Sequence, residues 1–303
     1  TKRKIGVEKL DEDVARKFIG GKGLGAKILY DSVKPRIDPL GPENLLIFAS
    51  GPLTATLAPT SGRWAVVTKS PLTNIFLDSQ VGGYFGAVMK LAGFDCIIVE
   101  GKADSPVYLR VHDESAEIRD AEGLWGKGCF ETERTLKKRL GEKVCVASIG
   151  PAGENLVRYA CITVDMYRQA GRGGAGAFMG SKKLKAVAVQ SASRRIEYAD
   201  SEGFREAAKK ALKMIEENSF VPLRRKYGTS VWVAPVNEFA ILPTRNFSTG
   251  VFEHADAISG ETMQRKIVVK DGTCYNCSIR CWKYTQVKSG KYKLKELAGP
   301  EYE

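Results

Sequence analysis

Three cysteines define the chemistry this chain could perform. The stretch Cys274-Tyr275-Asn276-Cys277-Ser278-Ile279-Arg280-Cys281 spaces them as C-x2-C-x3-C. Such spacing brings three thiolates to one point and leaves turn N–H groups free to face sulfur, the geometry of an iron–sulfur or zinc site. A four-iron cluster or a tetrahedral zinc needs a fourth ligand, and none is evident before Glu303. Zinc would call for a second C-x2-C or a pair of histidines. The only histidines are His112 and His254, and neither stands at zinc-finger spacing from another donor. A four-iron cluster with a remote fourth cysteine therefore fits best, with zinc and plain thiols left open.

A second group of residues could bind anions. Gln80-Val81-Gly82-Gly83 and Arg172-Gly173-Gly174-Ala175-Gly176 each place paired glycines before a short helical stretch, with Arg63 and Arg172 as forked donors. Glycine turns expose N–H groups to an anion such as phosphate, and guanidinium adds bidentate hydrogen bonds. The same glycines also suit tight corners between strands. Gly20-Gly21-Lys22-Gly23-Leu24-Gly25 does not follow an apolar strand, so it lacks the context of a dinucleotide fingerprint. It reads as a close backbone approach ahead of a short helix over residues 26–32.

The surrounding elements repeat. Residues 45–49 and 144–149 are apolar strands, each ended by Gly and Pro. Each is followed by a polar segment, a Gly-Gly turn, a short helix and a further strand, at residues 95–99 and 184–189. Residues 79–87 read as the opening of the first of these helices. A half-exposed strand is expected at 106–111. Residues 190–199 read as a linker, and strand signals fade beyond it. A helix follows over 202–217, capped by Ser201, with Phe204, Ala207, Ala208, Ala211, Leu212 and Ile215 on one face. Another short helix is expected near 260–265. The division is thus a duplicated, sheet-rich domain over 1–198 and the start of a mainly helical domain over 199–303, an α+β chain.

Composition narrows the partners. The chain has 303 residues, 43% hydrophobic and 27% charged, which is ordinary for a globular protein with a sizeable core. No apolar run is long enough to span a membrane, and no secretory leader is evident. The formal net charge of +12 comes from dispersed basic residues without aromatic stacking platforms. Nucleic acid is not expected, and an acidic protein partner suits the charge better. Cys96 and Cys145 lie in apolar runs and read as buried thiols of a reducing compartment, the cytoplasm.

Several motifs in collinear order resemble the aldehyde:ferredoxin oxidoreductase family. They are Phe48-Ala49-Ser50-Gly51-Pro52-Leu53-Thr54, Pro59-Thr60-Ser61-Gly62-Arg63, Thr68-Lys69-Ser70-Pro71-Leu72-Thr73 and Gly171-Arg172-Gly173-Gly174-Ala175-Gly176-Ala177. Leu242-Pro243-Thr244-Arg245-Asn246-Phe247, the cysteine triad and Gly299-Pro300-Glu301-Tyr302-Glu303 complete the set. The resemblance implies a tungsten (less often molybdenum) centre held by two pterins, with magnesium bridging the pterin phosphates, and a nearby [4Fe-4S] cluster. It implies oxidation of an aldehyde to a carboxylic acid with electrons passed to ferredoxin, and it admits a homo-oligomer. Arg63, Gln80, Gly82, Gly83, Arg172, Gly173, Gly174, Ala175 and Gly176 match pterin-contacting positions. Cys274, Cys277 and Cys281 match three of four cluster ligands, the fourth being expected beyond Glu303. Gln80 stands where relatives commonly have Asn. Glu301 and Glu303 are candidates to lie near the metal, with helix surface the blander reading. A non-catalytic cofactor-binding or assembly module, or a same-family enzyme reducing an aromatic thioester, are the alternatives.

Overall fold

The structure, a computed structural model, describes residues 3–192 and 195–299. The chain divides into two compact units. One comprises Thr1–Leu57 and Ser61–Ala199, the other Ala58–Thr60 and Asp200–Glu303.

The first unit opens with α1 (Glu12–Phe18) and α2 (Gly21–Ser32). Asp11 caps α1 by accepting from Val14 N at 2.9 Å. Then follow β1 (Leu46–Ser50), β2 (Trp64–Lys69), β3 (Phe76–Val81), α3 (Phe85–Leu91) and β4 (Cys96–Val99). A hairpin, β5 (Val107–His112) and β6 (Ser115–Asp120), leads to α4 (Cys129–Leu140). The chain continues through β7 (Cys145–Ser148), the single turn α5 (Pro151–Glu154), β8 (Ile162–Val164), β9 (Arg168–Ala170), α6 (Ala175–Ser181) and β10 (Leu184–Gln190).

Sheet order exposes the duplication. The first sheet runs β3-β2-β1-β4, and the second runs β6-β5-β10-β7-β8-β9. Read from its far edge, the second sheet begins β9-β8-β7-β10, the order of the first with each strand replaced by its counterpart. All these pairs are antiparallel. The β5–β6 hairpin extends the second sheet by pairing β5 parallel to β10.

One core joins the two sheets. Leu46, Phe48, Trp64 and Val66 of the first share it with Ala147, Ile162, Val187 and Val189 of the second. Phe85 of α3 and Phe178 of α6 lie between them. The Trp64 and Phe85 rings sit 4.8 Å apart, a spacing that adds specific aromatic contact to plain area burial. The outer face of β1 and β2 packs under Leu29 of α2. The outer face of β5, β7 and β10 packs under Leu136 of α4. Central strands buried on both faces need continuous apolar runs, which is why they are visible in the sequence.

Two local readings change. The glycines at 21, 23 and 25 are not a prelude to a short helix; they form the first turns of α2. A Cβ on Gly25 would come within 2.7 Å of Val67, so glycine here lets α2 lie close against β2. Residues 79–81 do not open a helix but end β3, and α3 starts only at Phe85. β3 is an edge strand whose burial alternates, so it lacks the long apolar run of an interior strand.

The second unit contains α7 (Ser201–Glu216), α8 (Val221–Tyr227), α9 (Val233–Glu238) and α10 (Gly260–Lys266). Asp200, one residue before the expected cap, accepts from Gly203 N at 2.9 Å, so Ser201 is already helical. The apolar face of α7 carries no fully buried residue. A three-stranded antiparallel sheet that the sequence reading lacks follows, ordered β11 (Val268–Gly272), β12 (Trp282–Val287), β13 (Leu294–Ala298). Among the described residues no helix is long and apolar enough to cross a membrane.

Candidate functional site

The expected anion-binding residues gather along one seam of the first unit. β3 and β9, edge strands of their sheets and counterparts in the duplication, meet there. Ser79 Oγ donates to Gly171 O at 2.9 Å, tying the residue before Gln80 to the residue before Arg172. Arg63 Nη1 donates to Gln80 O at 3.3 Å. The residues Arg63, Gln80 and Arg172 are exposed, whereas Gly82, Gly83, Gly174, Ala175 and Gly176 are buried. A Cβ on Gly171 would meet nothing within 4 Å, so the protein leaves the approach to Arg172 open.

Each repeat reaches across the seam and holds the other's glycine turn. The β2–β3 turn sends Ser70, whose Oγ donates to Gly173 O at 2.7 Å. The β8–β9 turn sends Asp165, whose Oδ2 accepts from Tyr84 N and Phe85 N, both at 3.0 Å. Two of the N–H groups that the sequence offered to an anion after Gly83 are thus taken by a carboxylate. Burial pushes the Asp165 pKa up, against those two hydrogen bonds. The same burial, reinforced by Asp165, raises the Cys145 thiol well above its usual range.

The glycines of the second turn are required by packing. Arg172, Gly173 and Gly174 all have positive φ, at 61°, 62° and 82°. A Cβ on Gly173 would lie 1.9 Å from Leu77 Cδ1, one on Gly174 1.9 Å from Arg158 O, and one on Gly176 2.3 Å from Cys161 O. An open approach at Gly171 and Arg172 thus gives way to close packing from Gly173 to Gly176.

The cysteine triad lies in the second unit, on the loop from β11 to β12. Thr273 Oγ1 lies 2.9 Å from Cys274 O and 2.6 Å from Cys277 O, and Cys277 N donates to Cys274 O at 3.2 Å. Arg225 Nη2 donates to Ser278 O at 3.1 Å. Asn276, at φ 46°, donates from Nδ2 to Ala58 O at 2.9 Å and accepts from Thr60 N at 2.8 Å. Those two bonds explain why residues 58–60 belong to this unit. A Cβ on Gly228 would stand 2.6 Å from Cys281 O, so that position also needs glycine. All seven cysteines are free thiols. Among the described residues no three His, Cys, Asp or Glu side chains converge on a point that could hold a metal. Three thiols on a braced turn match a soft, thiolate-ligated group in donor type.

His112 ends β5 beside Asp113 at 3.4 Å, and His254 packs edge-on to Phe252 at 5.7 Å. Burial raises the Cys96 thiol to about 12, consistent with an inert structural role. Glu301 and Glu303 lie outside the described residues. Sequence reasoning missed Asp165; an acid directly after the β-branched triplet Ile162-Thr163-Val164 was the available signal.

Comparison with known proteins decides the family. Residues 1–191 match the aldehyde ferredoxin oxidoreductase N-terminal domain, and residues 206–303 match domains 2 and 3 of the same family. The chain belongs to the aldehyde ferredoxin oxidoreductase family. It is 48% identical over 301 residues to a tungsten-containing aldehyde ferredoxin oxidoreductase of Pyrococcus abyssi, covering 98% of this chain and 48% of that one. It is 34% identical over 321 residues to the WOR-like subunit of an aliphatic sulfonate oxidoreductase of Pyrococcus furiosus, covering 100% of this chain and 50% of that one. Among solved structures it resembles a chain of the active-site complex BamBC of benzoyl coenzyme A reductase bound to 1,5-dienoyl-CoA. That match has a TM-score of 0.79 and 33% identity, covering 96% of this chain and 46% of the other. This family member spans about half the length of the curated relatives it matches.

Proposed function

We propose that the chain is the N-terminal part of a tungsten- or molybdenum-pterin oxidoreductase that oxidises an aldehyde to a carboxylic acid and delivers the electrons through a [4Fe-4S] cluster to ferredoxin. The observation that carries this reading is the seam. It gathers two exposed guanidinium groups, Arg63 and Arg172, and two interlocked glycine turns in a chain 48% identical to a tungsten-containing aldehyde oxidoreductase.

In this reading Arg63 and Arg172 bind the anionic ends of the pterins through forked, charge-assisted hydrogen bonds. Gln80, Gly82 and Gly83 on one side, and Gly173, Gly174, Ala175 and Gly176 on the other, present backbone and position the ligand. The bond from Arg63 to Gln80 O fixes that guanidinium against the first turn while leaving other N–H groups to bind. Magnesium between the pterin phosphates belongs to the same reading. Cys274, Cys277 and Cys281 hold the cluster with a fourth donor from elsewhere, and Arg225 and Thr273 keep their loop in shape. When bound, the metallopterin supplies the oxygen transfer and two-electron chemistry that side chains lack. The overall balance is aldehyde plus water to carboxylic acid, two protons and two electrons, the electrons leaving singly through the cluster.

The likeness to a benzoyl coenzyme A reductase chain favours one second reading, reduction of an aromatic thioester at the same centre. The higher identity to an aldehyde oxidoreductase supports the first. The test is anaerobic purification of the complete gene product with tungsten, molybdenum and iron measured per chain, followed by aldehyde and thioester assays. One heavy metal with several irons per chain and aldehyde-dependent ferredoxin reduction is the expected result. Absence of both heavy metals overturns the proposal.

A further inference from the structure

The two clasps across the seam do the same mechanical job with different chemistry. Ser70 closes one with a neutral hydroxyl, while Asp165 closes the other with a partly buried carboxylate whose ionised form is disfavoured. A hydroxyl suffices to tie a turn, so the carboxylate calls for another explanation.

The backbone around Asp165 shows what aims it. Asp165 and Met166 both lie at positive φ, 47° and 63°, a costly arrangement for two consecutive residues that are not glycine. Three contacts hold it. Asp165 N donates to Val146 O at 2.9 Å, Tyr167 N donates to Asp165 O at 2.8 Å, and Met166 N donates to Glu133 Oε2 at 2.6 Å. Glu133 is itself buried and paired with Lys137 at 2.7 Å. The strained turn thus points one carboxylate oxygen at two successive N–H groups, those immediately after Gly83. Gly83 has φ 87°, and a Cβ there would lie 3.1 Å from the same oxygen.

We infer that Asp165 is a positioning residue, which fixes Gly82 and Gly83 in their ligand-facing conformation before any cofactor arrives. This rests on the pterin-binding reading above. It predicts that the segment is ordered in metal-free protein and that disturbing Asp165 lowers cofactor retention more than it disturbs the fold.

The experiment uses the complete gene product made anaerobically with tungstate. Asp165→Asn keeps the shape but replaces the charged acceptor with a neutral amide oxygen, so both N–H bonds lose their charge assistance. The expected result is about a tenfold fall in tungsten per chain, with iron per chain unchanged and only a small drop in the melting temperature of metal-free protein. Tungsten-to-iron ratios equal to wild type in folded Asp165→Asn, whatever its melting temperature, would reduce Asp165 to a structural residue and overturn the inference. Should the variant fail to fold, hydrogen exchange of the peptide covering residues 82–91 in wild type decides. Protection at Tyr84 and Phe85 both with and without metal supports pre-ordering, and protection only with metal overturns it. Wild-type protein lacking tungsten and molybdenum would remove the functional reading itself, a result distinct from either of these.

Discussion

The two repeats of the first unit share strand order, helix placement and a common core, yet they treat charge differently. Among the described residues, the buried polar side chains of the first repeat are neutral, including Asn44, Ser50, Thr68, Ser70 and Ser79. The second half buries Glu133, Lys182 and Lys185 and aims Asp165 across the seam. Lys185 is fully buried and is satisfied by Lys127 O at 2.7 Å and by the Glu154 carboxylate. The matching helix ends make the contrast concrete. Ala92 caps α3 and Lys182 caps α6 with nearly the same backbone, φ −74° and −78°. Topology is thus set by strand pairing and apolar packing, which both halves obey, while ionisable groups are an addition that only one half accommodates. Buried charge costs free energy unless it is paired, so the second half depends more on specific partners and on pH.

The largest difference between the repeats should appear at their glycine turns. Gly174→Ala adds a Cβ 1.9 Å from a backbone oxygen at φ 82°. Left-handed strain and overpacking together predict a loss of about 3 kcal/mol or more. Gly83→Ala meets only side-chain atoms, the Asp165 carboxylate at 3.1 Å and Arg168 Cγ at 3.3 Å, with φ 87°. It should cost about 1–2 kcal/mol, mainly backbone strain. Chemical denaturation of both variants checks the ranking. Equal losses would mean that the two turns are equally constrained and would break the contrast.

A smaller effect should appear with pH. Burial lowers the Lys182 pKa to about 8 from an ordinary 10.5, although its ammonium donates to Gly101 O at 2.7 Å and lies over the Phe178 ring. Because the folded pKa lies below the unfolded one, the charged form penalises folding. The penalty is complete below pH 8 and disappears as pH rises towards 10.5. At roughly 1.4 kcal/mol per unit, the full swing is on the order of 3 kcal/mol. Lys182→Met should therefore gain on wild type at pH 7.5 and lose that advantage near pH 10, in parallel unfolding experiments. A stability difference independent of pH would show that Lys182 is not a source of the asymmetry.

How far the fold could be read beforehand follows the same physical line. β1, β2, β7 and β10 are interior strands and appeared as apolar runs, and the repeated Gly-Gly turns revealed the duplication. β3, β6, β8 and β9 lie at or near sheet edges; β3 and β6 mix exposed with buried positions, and β8 and β9 are only three residues long, so none carries such a run. α4 escaped notice because only Thr132, Glu133 and Leu136 of its twelve residues are buried. In the second unit β11 and β13 are mostly exposed, so their sheet left little trace in the sequence. At the site, Arg63, the glycine turns and the thiols were legible from residue type and spacing. Asp165 was not, because its partner Tyr84 is 81 residues away and the contact exists only once the two sheets meet.

The smallest predicted effect concerns the hairpin that only the second sheet possesses. Glu117 of β6 pairs with Arg110 and Arg119, both at 2.9 Å, and these neighbours hold its carboxyl below the usual range. The hydrogen bond from Arg119 is the largest influence on that shift. A lowered carboxyl pKa would favour folding above the unfolded value, with that support lost as pH falls through the folded one. The Glu117 side chain is about half exposed, however, so water and salt screen the interaction and the long side chains lose entropy by holding it. The ladder of β5 with β6 and the parallel pairing of β5 to β10 remain after the charge is removed. Glu117→Gln should therefore leave the unfolding midpoint unchanged within error at neutral pH, in both low and high salt. A clear, salt-sensitive loss would mean that solvated charge also holds this half together, and the distinction between buried and exposed ionisable groups drawn above would fail.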